Sequence, residues 1–539
     1  MATDPLLRSN SDLIQGVVDY RGRPASRSAS GGWTAAIFIM GVQIPERMAY
    51  YGISANLISY LTGPLRVSTA DAAAAINVWN GVGSLLPVLG ALVADCYLGR
   101  FRTILISSFL YLLGLGMLTL SSVLPIFYSL KYEGASIADQ TTCPPSIRLV
   151  LLYISLYLVA IAQAGFKPCV QAFGADQFDQ GDPRELISRG IFFNWWYFGI
   201  CIGIVVAIAF SSYVQDNIGW GLGFGIPCMV MLSSLLMLLL GTRTYRIYLS
   251  IEGPMARACD KFLALARKLL QNLGFITVED RGLHQSETGD VEATRLLRLF
   301  PVWSMCLMYT VVYAQSATLF TKQGRTLDTR IGIKLHVPPA ALQCFIAASI
   351  VLCIPIYDRV LVPMARKLTK LPSGITMLQR IGTGIVISMV SMSVAALVEE
   401  RRLRIAEEFD LLDKPEATIP MSLWWLLPQY ILMGVSEVFA LIGMQEFFYD
   451  QVPDGLRSLG LALYLGIFGI GSFVSGFMIS VIDKTTSRGG ESWFANNLNH
   501  AHLDYFYWLL AGLSAFQLVL YLYFAKDYVY KKNQDTATI

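Results

Sequence analysis

The chain has 539 residues, 54% hydrophobic and 15% charged, whereas a soluble domain carries about 25% charged residues. So little charge over this length excludes a water-soluble fold, and a net charge of +3 spread through the polar segments excludes a nucleic-acid partner. The nine cysteines show no CxxC and no zinc spacing; Cys201, Cys228, Cys306 and Cys353 lie inside apolar runs, as small buried hydrophobes do.

A polar tail, residues 1–32, comes first and holds Arg8, Arg21, Arg23 and Arg27; it is unlike a cleaved signal peptide, whose apolar stretch comes earlier. Apolar blocks follow at 33–62, 74–94, 102–124, 147–173, 190–213 and 219–241. A polar linker, 242–299, with the amphipathic stretch Met255–Leu273, separates them from blocks at 300–321, 338–362, 374–398, 421–449, 456–481 and 504–525. Each block is long enough to cross a bilayer core of about 30 Å as a helix, the conformation that satisfies its backbone in lipid. With both termini cytosolic, 26 of the 41 Lys and Arg fall on the cytosolic side, 13 on the other, and Arg47 and Lys167 inside blocks. The segment 399–420 is dense in charge but balanced in sign, and reads as a solvated hairpin.

Six blocks, a linker and six blocks predict an all-α membrane protein of major facilitator fold. Its 12 transmembrane helices form two six-helix bundles, 33–241 and 300–527, with a substrate site near mid-membrane between them and a short C-terminal tail, 528–539. Gly90-Ala-Leu-Val-Ala-Asp95-Cys-Tyr-Leu-Gly99-Arg100-Phe-Arg102 resembles the facilitator motif between helices 2 and 3, in which an acid and basic residues one turn on act as a gate. Tyr357-Asp358-Arg359 echoes it in the second half.

Ionisable groups inside membrane helices cost about 2.5–3.5 kcal/mol each at the bilayer centre on insertion scales, so they are functional candidates. Four stand out: Glu46 and Arg47 in the first block, Lys167 in the fourth and Glu437 in the tenth. Gln43, Glu46, Arg47 and Tyr50 recur at i, i+3, i+4 and i+7, one polar stripe on an apolar helix that should face a cavity. The plainer alternative for any one of these charges is a static salt bridge between helices. Glu446, near the end of the tenth block, reads as an interfacial or gate residue.

Together these residues resemble the proton-dependent oligopeptide transporter family, and within it the plant nitrate transporter/peptide transporter branch. The resemblance rests on Gln43-Ile-Pro-Glu46-Arg47 followed by Tyr50-Tyr51-Gly52, on Lys167-Pro168, on Phe192-Phe-Asn194-Trp195-Trp196, and on Glu437 with Gln445-Glu446-Phe447-Phe448-Tyr449. It runs from about Gly31 to Lys526, and the tail phrase Val18-Asp19-Tyr20-Arg21-Gly22-Arg23-Pro24 is similar to plant members in particular. The resemblance implies a secondary active transporter and not an enzyme, with no cofactor other than the proton as coupling ion. It would move nitrate, a small peptide or a related anionic metabolite by alternating access, as a monomer in the bilayer of a plant vacuolar or plasma membrane.

By the same resemblance Glu46 and Glu437 would take up protons, with Arg47 and Lys167 as their salt-bridge partners and as binders of a substrate anion. Gln43, Tyr50, Tyr51, Trp195 and Tyr313 would complete the substrate site, with Trp79 a further aromatic candidate. The chain departs from the family at Gln43, where an acid is usual, and at Tyr313, where a nitrate-binding histidine would align. Thr103 aligns with a threonine that is a phosphorylation switch in one branch; as a residue at a helix start it reads as a cap.

Two rival readings remain at this level. A haem enzyme would need histidines within helices, but His284, His336, His500 and His502 all fall in loops or at helix ends, and no Walker A pattern supplies ATP chemistry. A transport-inactive sensor on the same fold would not need the whole set of buried charges.

Overall fold

The computed structural model describes residues 13–131, 145–179, 182–248, 287–331, 335–369, 375–451, 457–488, 491–526 and 528. The predicted amphipathic stretch Met255–Leu273 and the C-terminal tail from 529 lie outside them. Among the described residues twelve long helices follow one another: α1 (Gly32–Ser54), α2 (Thr69–Val93), α3 (Arg100–Lys131), α4 (Pro145–Ala175), α5 (Pro183–Val206), α6 (Trp220–Leu240), α7 (Glu287–Tyr313), α8 (Cys344–Ile356), α9 (Met377–Glu408), α10 (Leu427–Asp450), α11 (Arg457–Thr486) and α12 (Leu503–Lys526). Among the described residues, 10 helical spans are long and apolar enough to cross a membrane. The two long helices without such a span are α1, which carries the stripe Gln43, Glu46 and Arg47, and α7, whose side chains are described from Leu299 and are apolar over Leu299–Tyr313.

The chain forms two compact units, residues 1–57 with 86–256, and 58–85 with 257–539. The division falls within α2, not only at the linker. The first part of α2 packs in the second unit, where Asn77 Nδ2 donates to Ser475 Oγ at 3.0 Å. Its last turns pack in the first unit, and Gly90 sits so close to α4 that a Cβ there would overlap the Ala164 carbonyl. In the first unit α3 lies along α4, and α1 packs on α5 and α6; in the second, α9 packs on α10 and α12, α8 on α10, and α7 on α11 and α12.

Three helices pass through a π-helical turn: Ala94–Leu98 after α2, Ala207–Ser211 after α5 and Tyr357–Leu361 after α8. Two of the three hold the paired motif positions, Asp95 and Asp358. A π-turn inserts one extra residue per turn and re-aims the side chains beyond it, which is why such turns gather at functional sites.

The polar tail is folded over its described part, from Leu13. Strands β1 (Leu13–Val18), β2 (Pro24–Ser26) and β3 (Ile247–Tyr248) form a sheet of order β2-β1-β3, so the tail pairs with the chain that leaves α6. Ile14, Val17 and Ala25 bury one small face of it. In the β1–β2 turn the Asp19 carboxylate accepts from the amides of Arg21 (2.8 Å) and Arg23 (2.9 Å), and the Arg23 amide is the main reason its pKa is lowered. Behind the sheet, Arg246 is buried and donates to Glu185 Oε2 (2.7 Å), to the Gln177 carbonyl (2.9 Å) and to the Arg27 carbonyl (3.2 Å). Gly31, at φ 76°, lets the backbone pass against that guanidinium, where a Cβ would collide.

The solvated-hairpin reading of 399–420 is corrected at its start. Helix α9 continues to Glu408, and Glu399 and Arg402 are fully buried. Their i, i+3 spacing puts both on one face, where Arg402 is bidentate to Glu399 (2.6 and 2.8 Å) and also donates to Asn499 Oδ1 (2.9 Å) and the Leu498 carbonyl (2.6 Å). Gln323 Nε2 donates to the same carboxylate at 2.6 Å. Removing one partner of a buried pair strands the other, so Arg402→Leu is expected to cost about 3–5 kcal/mol. Thermal unfolding in detergent should show that loss, and a much smaller one for Glu399→Leu with Arg402→Leu together.

Candidate functional site

The first unit assembles its charges around α1. Glu46 is 0% exposed, Gln43 4% and Arg47 5%, so the stripe is buried against neighbouring helices rather than open along its length. Four donors converge on the Glu46 carboxylate. Arg47 Nε donates to Oε2 at 2.6 Å, Gln43 Nε2 to Oε2 at 3.5 Å, Gln163 Nε2 of α4 to Oε1 at 3.2 Å, and the Tyr111 hydroxyl of α3 to Oε1 at 3.4 Å. Small residues let the helices close on it: Gly203 of α5 packs against the Arg47 Cβ and the Ile44 carbonyl.

The site keeps unused capacity. Arg47 Nη2 and Gln43 Oε1 are buried without a hydrogen-bond partner among the described residues, an arrangement that costs about 1–3 kcal/mol for each unmet polar group. Lys167, one turn along α4 from Gln163, is exposed, and the charges of Glu46 and Arg47 both reach it. Tyr50 and Tyr51 meet edge to face with ring centres 5.2 Å apart. Trp195 is 57% exposed, whereas its neighbour Trp196 is buried, so α5 turns the second tryptophan toward its packed face.

The second unit holds Glu437 on α10, 7% exposed, with Oε1 lacking a hydrogen-bond partner among the described residues. Beside it, Ser436 donates to the Gly384 carbonyl at 2.8 Å and lies 3.4 Å from the Tyr309 hydroxyl, on which the Glu437 charge also acts. Tyr313 is half-buried and packs edge to face on Phe468, ring centres 5.8 Å apart; Trp79 is buried.

Of the gate-motif residues, Arg100, Arg102 and Arg359 have described side chains. Arg100 pairs with Asp176 at the end of α4, Arg102 is exposed, and Arg359 is exposed in the third π-turn. The side chains of Asp95 and Asp358 lie outside the described set. In the second unit Arg380 covers the Tyr357 ring at 4.4 Å and pairs with Glu446 at 3.2 Å, which gives Glu446 its partner. Thr103 is not a cap: it lies within α3, is buried, and its hydroxyl donates back to the Gly99 carbonyl at 2.9 Å. His500 is held between Asp413 (3.0 Å) and Glu491 (3.2 Å), one carboxylate on each ring nitrogen.

Reading the sequence alone missed Tyr111, Gln163, Tyr309 and Ser436. The signal was present for Gln163, a polar residue four before Lys167 and so on the same face of α4. Nothing local marked the tyrosines, since an aromatic in an apolar helix is ordinary packing.

The fold is shared with solved transporters. The chain superposes on an auto-inhibited POT family peptide transporter with TM-score 0.70 at 20% identity, covering 92% of this chain and 98% of that one. PepTSo, another POT family transporter, gives TM-score 0.67 at 19% identity, with coverage of 92% and 98%. The 10 membrane-length helices among the described residues make this a multi-pass membrane protein. The family model PTR2, POT family, matches residues 101–494. The Arabidopsis thaliana Protein NRT1/PTR FAMILY 5.10 is 53% identical over 98% of both chains, and Protein NRT1/PTR FAMILY 5.16 is 49% identical over 97% of both. The chain belongs to the POT family.

Proposed function

We propose that this transporter is a proton-coupled carrier of a small anionic solute, such as nitrate, a peptide carboxylate or a related metabolite, in a plant vacuolar or plasma membrane. The observation that carries the reading is the Glu46 cluster. A buried carboxylate is held by a guanidinium that still has an unused N–H face, with a lysine nearby. With every group ionised, Glu46, Arg47 and Lys167 leave the first unit with one surplus positive charge. An anion entering there meets Arg47 Nη2 and the Lys167 ammonium, both donors with no acceptor chemistry of their own.

Gln43 sharpens the preference for an anion. Its amide nitrogen donates to Glu46, as the O–H of a protonated glutamic acid would. The side chain is therefore a fixed copy of the protonated state and never adds a negative charge. Glu46 and Glu437 are left as the titrating acids, against Arg47 and Lys167. The four sum to zero when ionised, and one bound proton makes the set +1, which favours a monoanion. Protonating Glu46 removes the charge that Arg47 faces and frees the guanidinium for solute.

The test is uptake into proteoliposomes of nitrate, a dipeptide and a larger carboxylate, with and without an imposed pH gradient. Accumulation of at least one that follows the gradient is expected; accumulation indifferent to the gradient sinks the coupling, and zero flux of all three favours a sensor. Gln43→Glu places a second carboxylate about 3.5 Å from Glu46. It is expected to weaken anion uptake about tenfold near neutral pH, with recovery in acid as the new carboxyl takes a proton. A flat pH profile for the variant would show that position 43 does not face the coupling charges.

A further inference from the structure

Residues 21–26 read Arg-Gly-Arg-Pro-Ala-Ser, two arginines placed five and three residues before a serine. An arginine-directed protein kinase reads such a pattern by pairing guanidinium groups with its own carboxylates, so both arginines must be open to solvent on a segment that can be drawn out. The fold presents the pattern in that way. Residues 21–24 are exposed around the β1–β2 turn; the Arg23 guanidinium pairs with Asp19 at 3.2 Å but keeps 64% of its side-chain surface, so a kinase carboxylate can displace this exposed pair. Ser26 ends β2, a three-residue edge strand bonded to the sheet on one side only. Its hydroxyl lies 2.9 Å from that of Ser28, and its carbonyl accepts from the Ser30 amide (3.0 Å) and hydroxyl (2.7 Å).

The same turn fastens the tail to the first unit. Arg27 is ion-paired with Asp179, and Asp182 and Glu185 also act on its charge. The Arg27 carbonyl accepts from Arg246, the Gly31 amide donates to the Thr244 carbonyl (2.8 Å), and the Gly32 amide donates to the Gln177 carbonyl (2.8 Å). Residues 13–32 are thus a strap across the turn between α4 and α5, ending at the first residue of α1.

We propose that Ser26 is a phosphoacceptor for an arginine-directed protein kinase, and that the phosphate releases this strap from the α4–α5 turn. In the transfer, Ser26 Oγ forms a bond to the γ-phosphorus of Mg·ATP and the bond from that phosphorus to the β,γ-bridging oxygen breaks. ADP leaves, and the hydroxyl proton passes to the kinase's aspartate base. The product carries about −1.5 to −2 charges at pH 7 beside Arg27. It competes with Asp179 for that guanidinium and is repelled by the three carboxylates already grouped there. Ion pairing that held the strap becomes repulsion that lifts it.

The test uses the full chain in lipid nanodiscs, incubated with the catalytic subunit of an arginine-directed kinase and Mg·ATP. Phosphopeptides are located by mass spectrometry. Phosphate on Ser26 is expected, with incorporation reduced at least about tenfold by Arg21→Ala with Arg23→Ala. Amide exchange across Val17–Val18 and Ile247–Tyr248 should speed at least about tenfold on phosphorylation, and Ser26→Ala should abolish both effects. No incorporation, phosphate confined to Ser28 or Ser30, or phosphate on Ser26 with unchanged exchange would each overturn the proposal.

Discussion

Glu437→Gln is expected to abolish solute accumulation driven by an inward pH gradient while sparing solute exchange across the same membrane. The glutamine keeps the shape and a hydrogen-bonding tip but cannot take up or release a proton. Glu437 is buried on α10 with one carboxylate oxygen unmet, and no cation of its own unit reaches it among the described residues. A lone buried carboxyl is costly when charged, so under the proposed coupling its proton is the one that would move with the transport cycle. Proteoliposomes preloaded with solute separate the two behaviours. Exchange should stay within about threefold of wild type, while gradient-driven accumulation should fall by more than about tenfold, a difference of at least ~1.4 kcal/mol in driving force. Equal loss of both would make Glu437 a residue of binding or folding instead of coupling.

Arg47→Leu should have the largest effect on the first unit. It strips Glu46 of its 2.6 Å guanidinium partner and leaves a fully buried carboxylate with only the amides of Gln43 and Gln163 and the Tyr111 hydroxyl. Breaking a buried pair from one side costs about 3–5 kcal/mol, and under the proposed reading the solute loses a guanidinium donor as well. Reduced thermal stability and no measurable uptake are expected together. Glu46→Gln with Arg47→Leu should restore much of the stability, because no charge is then stranded, while uptake stays absent. If the double variant were as unstable as the single one, the loss would come from packing around Arg47, where Gly203 closes on its Cβ, and not from the charge.

Gln163 offers a finer probe of the same cluster. It touches Glu46 and not the open face of Arg47, so it positions the carboxylate. Gln163→Leu removes one donor at 3.2 Å from a charged acceptor, worth about 1.5–3 kcal/mol. The expected change is a shift in the pH profile of uptake with little change in solute affinity; a change in affinity alone would place Gln163 against the solute.

Much of this protein was legible in order along the chain. Apolar length and the scarcity of charge determined that helices cross a membrane, since lipid leaves the backbone no other way to satisfy its polar groups. The cost of burying ionisable groups singled out Glu46, Arg47, Lys167 and Glu437 before any packing was known, because such residues are retained against a penalty only where something uses or neutralises them. The motif residues then pointed to the family through their spacing on single helices.

What needed the tertiary structure was every property that depends on a second element. Local pattern gave α1 a polar stripe but could not say that Tyr111 and Gln163, from two other helices, would complete the shell around Glu46. The charge density of 399–420 looked solvated because sequence averages signs; packing instead took Glu399 and Arg402 into the interior, where i, i+3 spacing lets them neutralise each other and Asn499 accepts a further hydrogen bond from Arg402. The tail read only as polar because its strands are too short to signal alone, and it is the pairing of β1 with residues after α6 that makes residues 13–32 a strap. Composition and periodicity act within one helix, so the sequence by itself determined the spans and the charges they carry. Which charges meet, and which are left unmet, is set by close packing between helices distant in the chain, and only the folded structure decided that.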